Sequence, residues 1–246
     1  MGYCRQTSLP AQEPVSLDMA KRFMNLPASF VSQDDLITGW ITAAREKGEI
    51  LTWRSLAKRN FTQVLDSFPY FTDTVQSQLA YPPSYYSLPR YSTTLWNYSQ
   101  MIKLGYSPAI SVTRMRYVGS DGNYHTLNQD VDFILDRIAE PSRIFPPPGQ
   151  YWPASLYVAN ACQIDYVAGY DPDPSAIDVH SPPISSPPMQ QPDSTIVSGV
   201  PQMIILGILN LVAWWFNNRG AIGEVPDNIA QIFLNWAIND FQPTRG

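Results

Sequence analysis

The chain has 246 residues, including 23 prolines and 13 glycines, with 44% hydrophobic, 13% aromatic and 15% charged residues. Proline at about 9% is well above the usual share of roughly 5%, while charge falls short of the usual quarter. The apolar content excludes a disordered chain, and the lack of glycine at every third position excludes collagen, leaving a folded protein with long proline-rich connections. Sixteen Lys and Arg against 21 Asp and Glu give a net charge of −5, so the chain as a whole offers no footprint for gripping phosphates.

The segment Met1 to Pro10 is polar and lacks the apolar centre of a signal peptide. The first helix is expected over Ser16–Leu26: Ser16 caps the free amides, Ala20, Phe23 and Met24 share a face, and Pro27 stops it. The second is expected from a capping box at Ser32-Gln33-Asp34-Asp35 to about Lys47. There Leu36, Ile37, Trp40, Ile41 and Ala44 form an apolar stripe opposite Arg45, Glu46 and Lys47.

From Asn60 to Tyr170 the hydrophobic period falls to 2, the mark of an antiparallel β unit. In Ala109–Val118 the alternation changes phase, which predicts a bulge or strong twist near Arg114. Gly119-Ser120-Asp121-Gly122-Asn123 supplies a hairpin turn into Tyr124–Leu127. Val131, Phe133 and Leu135 alternate with Asp130, Asp132 and Asp136, and Cys162, Ile164 and Tyr166 with Gln163, Asp165 and Val167; both runs read as half-buried strands.

Two segments fit no element: Pro69–Asn97, rich in Tyr, Pro and Ser, and Asp171–Gly199, with seven prolines. Their length and stiffness suit arms lying along a surface, that of a neighbouring subunit, with plain surface loops as the alternative. Exposed aromatics are costly unless covered, so Tyr81, Tyr85, Tyr86, Tyr91, Trp96 and Tyr98 of the first arm are candidate interface residues. The apolar Ile177, Val179, Ile184 and Met189 of the second arm join them, with Phe241 and Arg245 near the end of the chain.

After Pro201 the stretch Met203–Arg219 is apolar nearly all round and should be enclosed on most sides, with Gly220 and Gly223 breaking it. Val200–Phe216 is short for a membrane span and carries Gln202 and Asn210, so a buried core helix is the reading. A last helix from Pro226 to Asp240 aligns Ile229, Ile232, Phe233 and Trp236. The expected class is α+β, one composite domain. N-terminal helices (1–59) and C-terminal helices (200–246) form a bundle around an inserted antiparallel β unit (60–170, with arm 69–97), and the proline-rich arm 171–199 follows that unit.

Motifs for chemistry are missing. The sequence has no P-loop, dinucleotide-binding glycine fingerprint, nucleophile elbow or His-Glu-x-x-His. Cys4 and Cys162 with His125 and His180 do not make a zinc set, and a buried Cys162 thiol is a plainer reading than a disulfide. Asp171, Asp173 and Asp178 lack the glycine turn and terminal Glu of a calcium loop and read as a solvated loop. No catalytic residue, cofactor or metal is implied. Arg45, Lys47, Arg54, Lys58 and Arg59 are available for acidic partners or passing DNA, or for a solvated face.

Several runs, in order, resemble the head–tail connector (adaptor) proteins of tailed bacteriophages. Pro14–Lys21 (PVSLDMAK) is similar to that family's opening helix and Asp34–Glu46 (DDLITGWITAARE) to its second; Arg54–Phe68 (RSLAKRNFTQVLDSF) resembles the link into the first strand. The hairpin Val112–Leu127, Ser142–Pro153 with its Gln-Tyr-Trp-Pro end, Ile164–Tyr170 and Val212–Arg219 complete the series, which spans most of the chain except the two arms. The resemblance implies a structural virion protein at the head–tail interface, assembled in the host cytoplasm as a ring, expected to be twelve-fold. Its implied partners are other copies of the chain, the portal and tail or neck proteins, with double-stranded DNA passing through without specific binding and no membrane. Two rivals explain parts of the sequence: a β-rich glycan-binding module whose Tyr/Trp arm stacks on sugars, and a protein anchored by Val200–Phe216.

Overall fold

The computed structural model describes residues 3–69, 100–170, 199–219 and 223–238. The chain order is β1 (Tyr3–Gln6), α1 (Leu17–Phe23), α2 (Asp34–Thr52), β2 (Arg59–Leu65), β3 (Ile102–Lys103), β4 (Ala109–Val118), β5 (Tyr124–Leu127), β6 (Ile134–Asp136), β7 (Arg143–Phe145), β8 (Cys162–Ala168), α3 (Gln202–Asn217) and α4 (Asp227–Leu234). Helices and antiparallel sheets together make the class α+β, as expected.

Ser16 caps α1 as its sequence position predicts, its hydroxyl accepting from the Met19 amide at 3.2 Å. The second helix departs from expectation at both ends. It starts at Asp34 behind Gln33 rather than Ser32, and the Gln33 side chain, instead of capping, accepts from Arg219 Nη2 at 2.5 Å. Five residues past Lys47 it closes at Thr52, where Trp53 takes the left-handed conformation (φ 57°). The extra turn exists because Gly48, Glu49 and Thr52 all face the interior. Ile37, Trp40, Ile41 and Ala44 are buried as the stripe requires, but Leu36 is 52% exposed and Arg45 only 1%. These two reverse the predicted faces.

Helix α3 buries Ile204, Ile208, Leu211, Val212 and Trp215 and leaves Met203 and Leu206 half exposed, so it is open on one side. Among the described residues no helix is long and apolar enough to cross a membrane. The last helix is shorter than predicted, ending at Leu234; Ile229 and Phe233 are buried, and Trp236 lies beyond its end. All four helices share one apolar core, to which Val15, Leu56 and Tyr170 also belong.

A five-stranded antiparallel sheet has the order β1-β2-β8-β4-β5, and a three-stranded one the order β3-β7-β6. The predicted irregularity in β4 is present as register shifts against β8 between Ala109 and Ser111 and between Val112 and Arg114. The hairpin turn is also as predicted, with Gly122 at φ 76° and the Asn123 amide held by Asp121. In β8, Cys162, Ile164, Tyr166 and Ala168 are buried and the residues between them are half exposed. By contrast, the run from Val131 is a strand only over Ile134–Asp136. Asp132 Oδ2 accepts from the Asn128 amide at 2.8 Å and Asp130 adopts φ 65°, so side-chain turn chemistry overrides the alternation and leaves Val131 exposed. The sheets enclose a second core containing Phe61, Phe68, Met115, Phe133, Ile144, Trp152, Ile164 and Tyr166.

Candidate functional site: a buried ionic junction and an open sheet

Three of the five cations expected to be available for partners are instead internal. Arg45 Nε donates to Glu13 Oε2 (2.8 Å) and its Nη1 to Glu49 Oε2 (2.8 Å), while Arg59 Nη2 donates to the same Glu49 oxygen (2.5 Å). Glu49 Oε1 also accepts from the Leu56 amide (2.8 Å), and Arg59 Nη1 donates to Gln6 Oε1 (3.0 Å). The cluster thus ties the segment before α1, helix α2 and strands β1 and β2 into one ionic junction. Burial of two guanidinium groups is tolerable because two carboxylates and the Gln6 amide oxygen accept from them.

A second junction is centred on Arg54. Its Nε donates to the Trp236 carbonyl (2.8 Å), its Nη1 to Glu140 Oε1 (2.6 Å) and to the Tyr170 hydroxyl (3.4 Å), and its Nη2 to Glu140 Oε2. This bidentate bond holds the Glu140 carboxyl below the usual carboxylate range against the opposing effect of burial. Lys58 is exposed and Lys47 half-buried. Sequence patterning missed the junctions because an arginine, in helix, strand or link, is read as solvated until its partners are known.

The outer face of the five-stranded sheet carries a polar ladder. Asp165 accepts from Thr62 (2.6 Å), Gln163 (3.0 Å) and Arg114 (2.8 Å). Arg116 donates twice to Gln163 Oε1 (3.0 and 2.6 Å), and its guanidinium lies 4.5 Å from the Tyr124 ring centroid. The inner face is apolar, with Cys4 Sγ 3.2 Å from the Tyr166 hydroxyl. Both cysteines are free thiols, and burial pushes the Cys162 thiol up to about 11.

The twelve interface candidates (Tyr81, Tyr85, Tyr86, Tyr91, Trp96, Tyr98, Ile177, Val179, Ile184, Met189, Phe241 and Arg245) lie outside the described residues, as do Asp171, Asp173, Asp178 and His180. The residues that bracket the first predicted arm are nonetheless anchored together: Phe68 stacks on Trp152 with centroids 4.9 Å apart, and Trp152 Nε1 donates to the Gln100 carbonyl (2.7 Å). Tyr170 and Gly199, which bracket the second, line one open cleft with Met19, Val200 and Ile205. Beside the Trp152 anchor, Tyr151, Leu156, Tyr157 and Val158 stand exposed on a loop whose Leu156 amide bonds the Val118 carbonyl (2.8 Å). The sequence pattern marked only the Gln150–Pro153 part of this loop, as a family-like run, and not its exposed continuation Leu156–Val158, whose apolar content was the available signal.

Among the described residues no group of His, Cys, Asp or Glu has the arrangement to hold a metal ion. His125 pairs with Asp121 at the hairpin tip, Nε2 to Oδ1 3.0 Å, and stacks on Tyr117.

No family model matches the chain, and no curated protein does. Solved structures do. A chain from the neck of an empty gene transfer agent particle, computed with C6 symmetry, superposes with a TM-score of 0.60 at 14% identity, covering 99% of this chain and 98% of that one. A chain of the virion of a native gene transfer agent particle gives 0.60 at 13% identity, with the same coverage. One from the neck of the native particle, computed with C12 symmetry, gives 0.57 at 15% over the same shares. Over its whole length, then, the chain has the fold of proteins found in gene transfer agent particles and their necks, consistent with the resemblance to phage head–tail connectors.

Proposed function

We propose that the chain is a structural virion protein of a phage-like neck, a head–tail connector (adaptor) subunit that joins the portal to the tail or neck and surrounds the DNA channel. The observation that carries this reading is the full-length fold likeness to chains from neck structures with six-fold and twelve-fold symmetry. The ordered connector-like runs from Pro14 to Arg219 support it independently.

In this account the junctions around Glu49 and Arg54 make each subunit a stiff wedge, and copies close a ring, twelve-fold by the resemblance. The segments 69–97 and 171–199 lock that ring to portal, tail or neck partners through their aromatic and apolar residues. A net charge of −5 suits a passage that lets DNA slide rather than bind. The role needs no catalytic group and no cofactor. Deleting the gene from the particle that encodes it tests the reading: DNA-filled heads separated from tails are expected, whereas normally tailed particles would overturn it.

A further inference from the structure

The five-stranded sheet ends in two edges, β1 and β5, with no strand beyond either among the described residues. Every neighbour in the order β1-β2-β8-β4-β5 pairs antiparallel, so the two outer strands of this odd-numbered sheet run in the same direction. Both are four residues long, Tyr3–Gln6 and Tyr124–Leu127. Neither contains a proline or glycine that would block a further strand.

Their side chains match as well. The cross-strand register Arg5↔Thr62↔Asp165↔Arg114 places Arg5 on the outer face, hence Tyr3 also. The pair Arg116↔Thr126 places Thr126 and Tyr124 on that same face. Each edge strand therefore opens with a tyrosine on the same side of the sheet, and these tyrosines are 71% and 60% exposed. Laid side by side in parallel, β1 of one copy and β5 of the next align Tyr3 with Tyr124, Cys4 with His125, Arg5 with Thr126 and Gln6 with Leu127. Charge agrees with this alignment: β1 carries the single cation Arg5 toward its C-terminal end, and β5 leads at its own C-terminal end into Asp130 and Asp132.

We propose that the occupant of each free edge is a second copy of this chain, with β5 of one subunit pairing in parallel with β1 of the next. Because the two edges differ, the contact is head-to-tail, and repeating it by rotation keeps the polar ladder on one side and closes a ring. Two-fold pairing of like edges would instead be antiparallel and would stop at a dimer. Tyrosines stacked across the seam add the aromatic cross-strand contact that short parallel strands need. This inference rests on the ring reading given above and names the surface through which the ring closes.

The test is a disulfide across the seam. The full-length double variant Tyr3→Cys/Tyr124→Cys is assembled, oxidised and run on a non-reducing gel beside each single variant, with particle mass measured in parallel. The expected result is a ladder of linked species rising to the ring size in the double variant only, collapsing to monomer on reduction. Rings by mass without a ladder overturn the seam and leave the ring reading standing. A chain that forms no ring, alone or with the portal, overturns both.

Discussion

Arg59 of β2 and Glu49 of α2 meet with Nη2 2.5 Å from Oε2, both side chains almost fully buried, and Arg45 shares the same carboxylate oxygen. Glu49 is thus the anion common to both cations where helix and sheet join, with Glu13 as a second partner of Arg45. The arrangement ties together two layers that have separate apolar cores.

Replacing Glu49 with Gln removes that common anion while keeping the size of the side chain. Two guanidinium groups lose their shared charge partner in a buried site, and the expected loss is about 3 kcal/mol of unfolding free energy. Denaturant titration measures it. A loss well under about 1 kcal/mol, the scale of an exposed pair, would mean that water reaches the junction.

The Arg54–Glu140 pair gives the stability an acid-side dependence. Arg54 depresses the native Glu140 pKa, so the unfolded chain takes up the proton first as pH falls. The pair's contribution is present above the ordinary carboxylate pKa, near 4.5, and is lost as pH drops through the lower native value. Glu140 is half exposed, which limits its worth to about 1 kcal/mol. Glu140→Gln should cost that much at pH 7 and flatten the fall in melting temperature below pH 4.5; an unchanged acid slope contradicts the assignment.

Two glycines of α2, Gly39 and Gly48, should respond to alanine with opposite signs. A Cβ on Gly48 would lie 2.9 Å from Phe233 Cε1, and one on Gly207 3.0 Å from Phe233 Cζ, whereas Gly39 has open space around it. Gly39→Ala should stabilise by just under about 1 kcal/mol through helix propensity. Gly48→Ala should destabilise by roughly 1–2 kcal/mol, because overpacking the Phe233 ring outweighs that gain. Thermal melts of the two variants decide the matter, and equal shifts of the same sign would contradict the packing.

Excising most of 171–199 and bridging it with a short flexible linker tests the division of labour between the subunit body and its arms. The monomer's melting temperature should stay within a few degrees, since the shared helical core retains all its described members. Assembly with the portal should weaken. A collapse of monomer stability would show that this segment completes the fold instead.

Much of this architecture is legible in the residues. The Ser16 cap, the Gly119–Asn123 turn, the phase change in β4 and the alternation of β8 are local signals, and local physics decides them. Strand β1 is not legible, because Tyr-Cys-Arg-Gln has no pattern of its own and becomes a strand only by pairing with β2. Arg45, Arg54 and Arg59 mislead for a related reason: their burial depends on Glu49, Glu13 and Glu140, which lie up to 86 residues away in the chain. Gly169 belongs to the same group: its φ is 118°, and a Cβ there would lie 2.3 Å from the Ala57 carbonyl oxygen, a close approach between segments far apart in the chain.

The central claim is that this chain builds a ring at the head–tail interface. Negative-stain imaging with mass measurement of the purified protein, alone and mixed with the portal of its own particle, tests it most directly. The account predicts closed rings, or a stoichiometric complex that forms on the portal. A monodisperse monomer indifferent to the portal would contradict it.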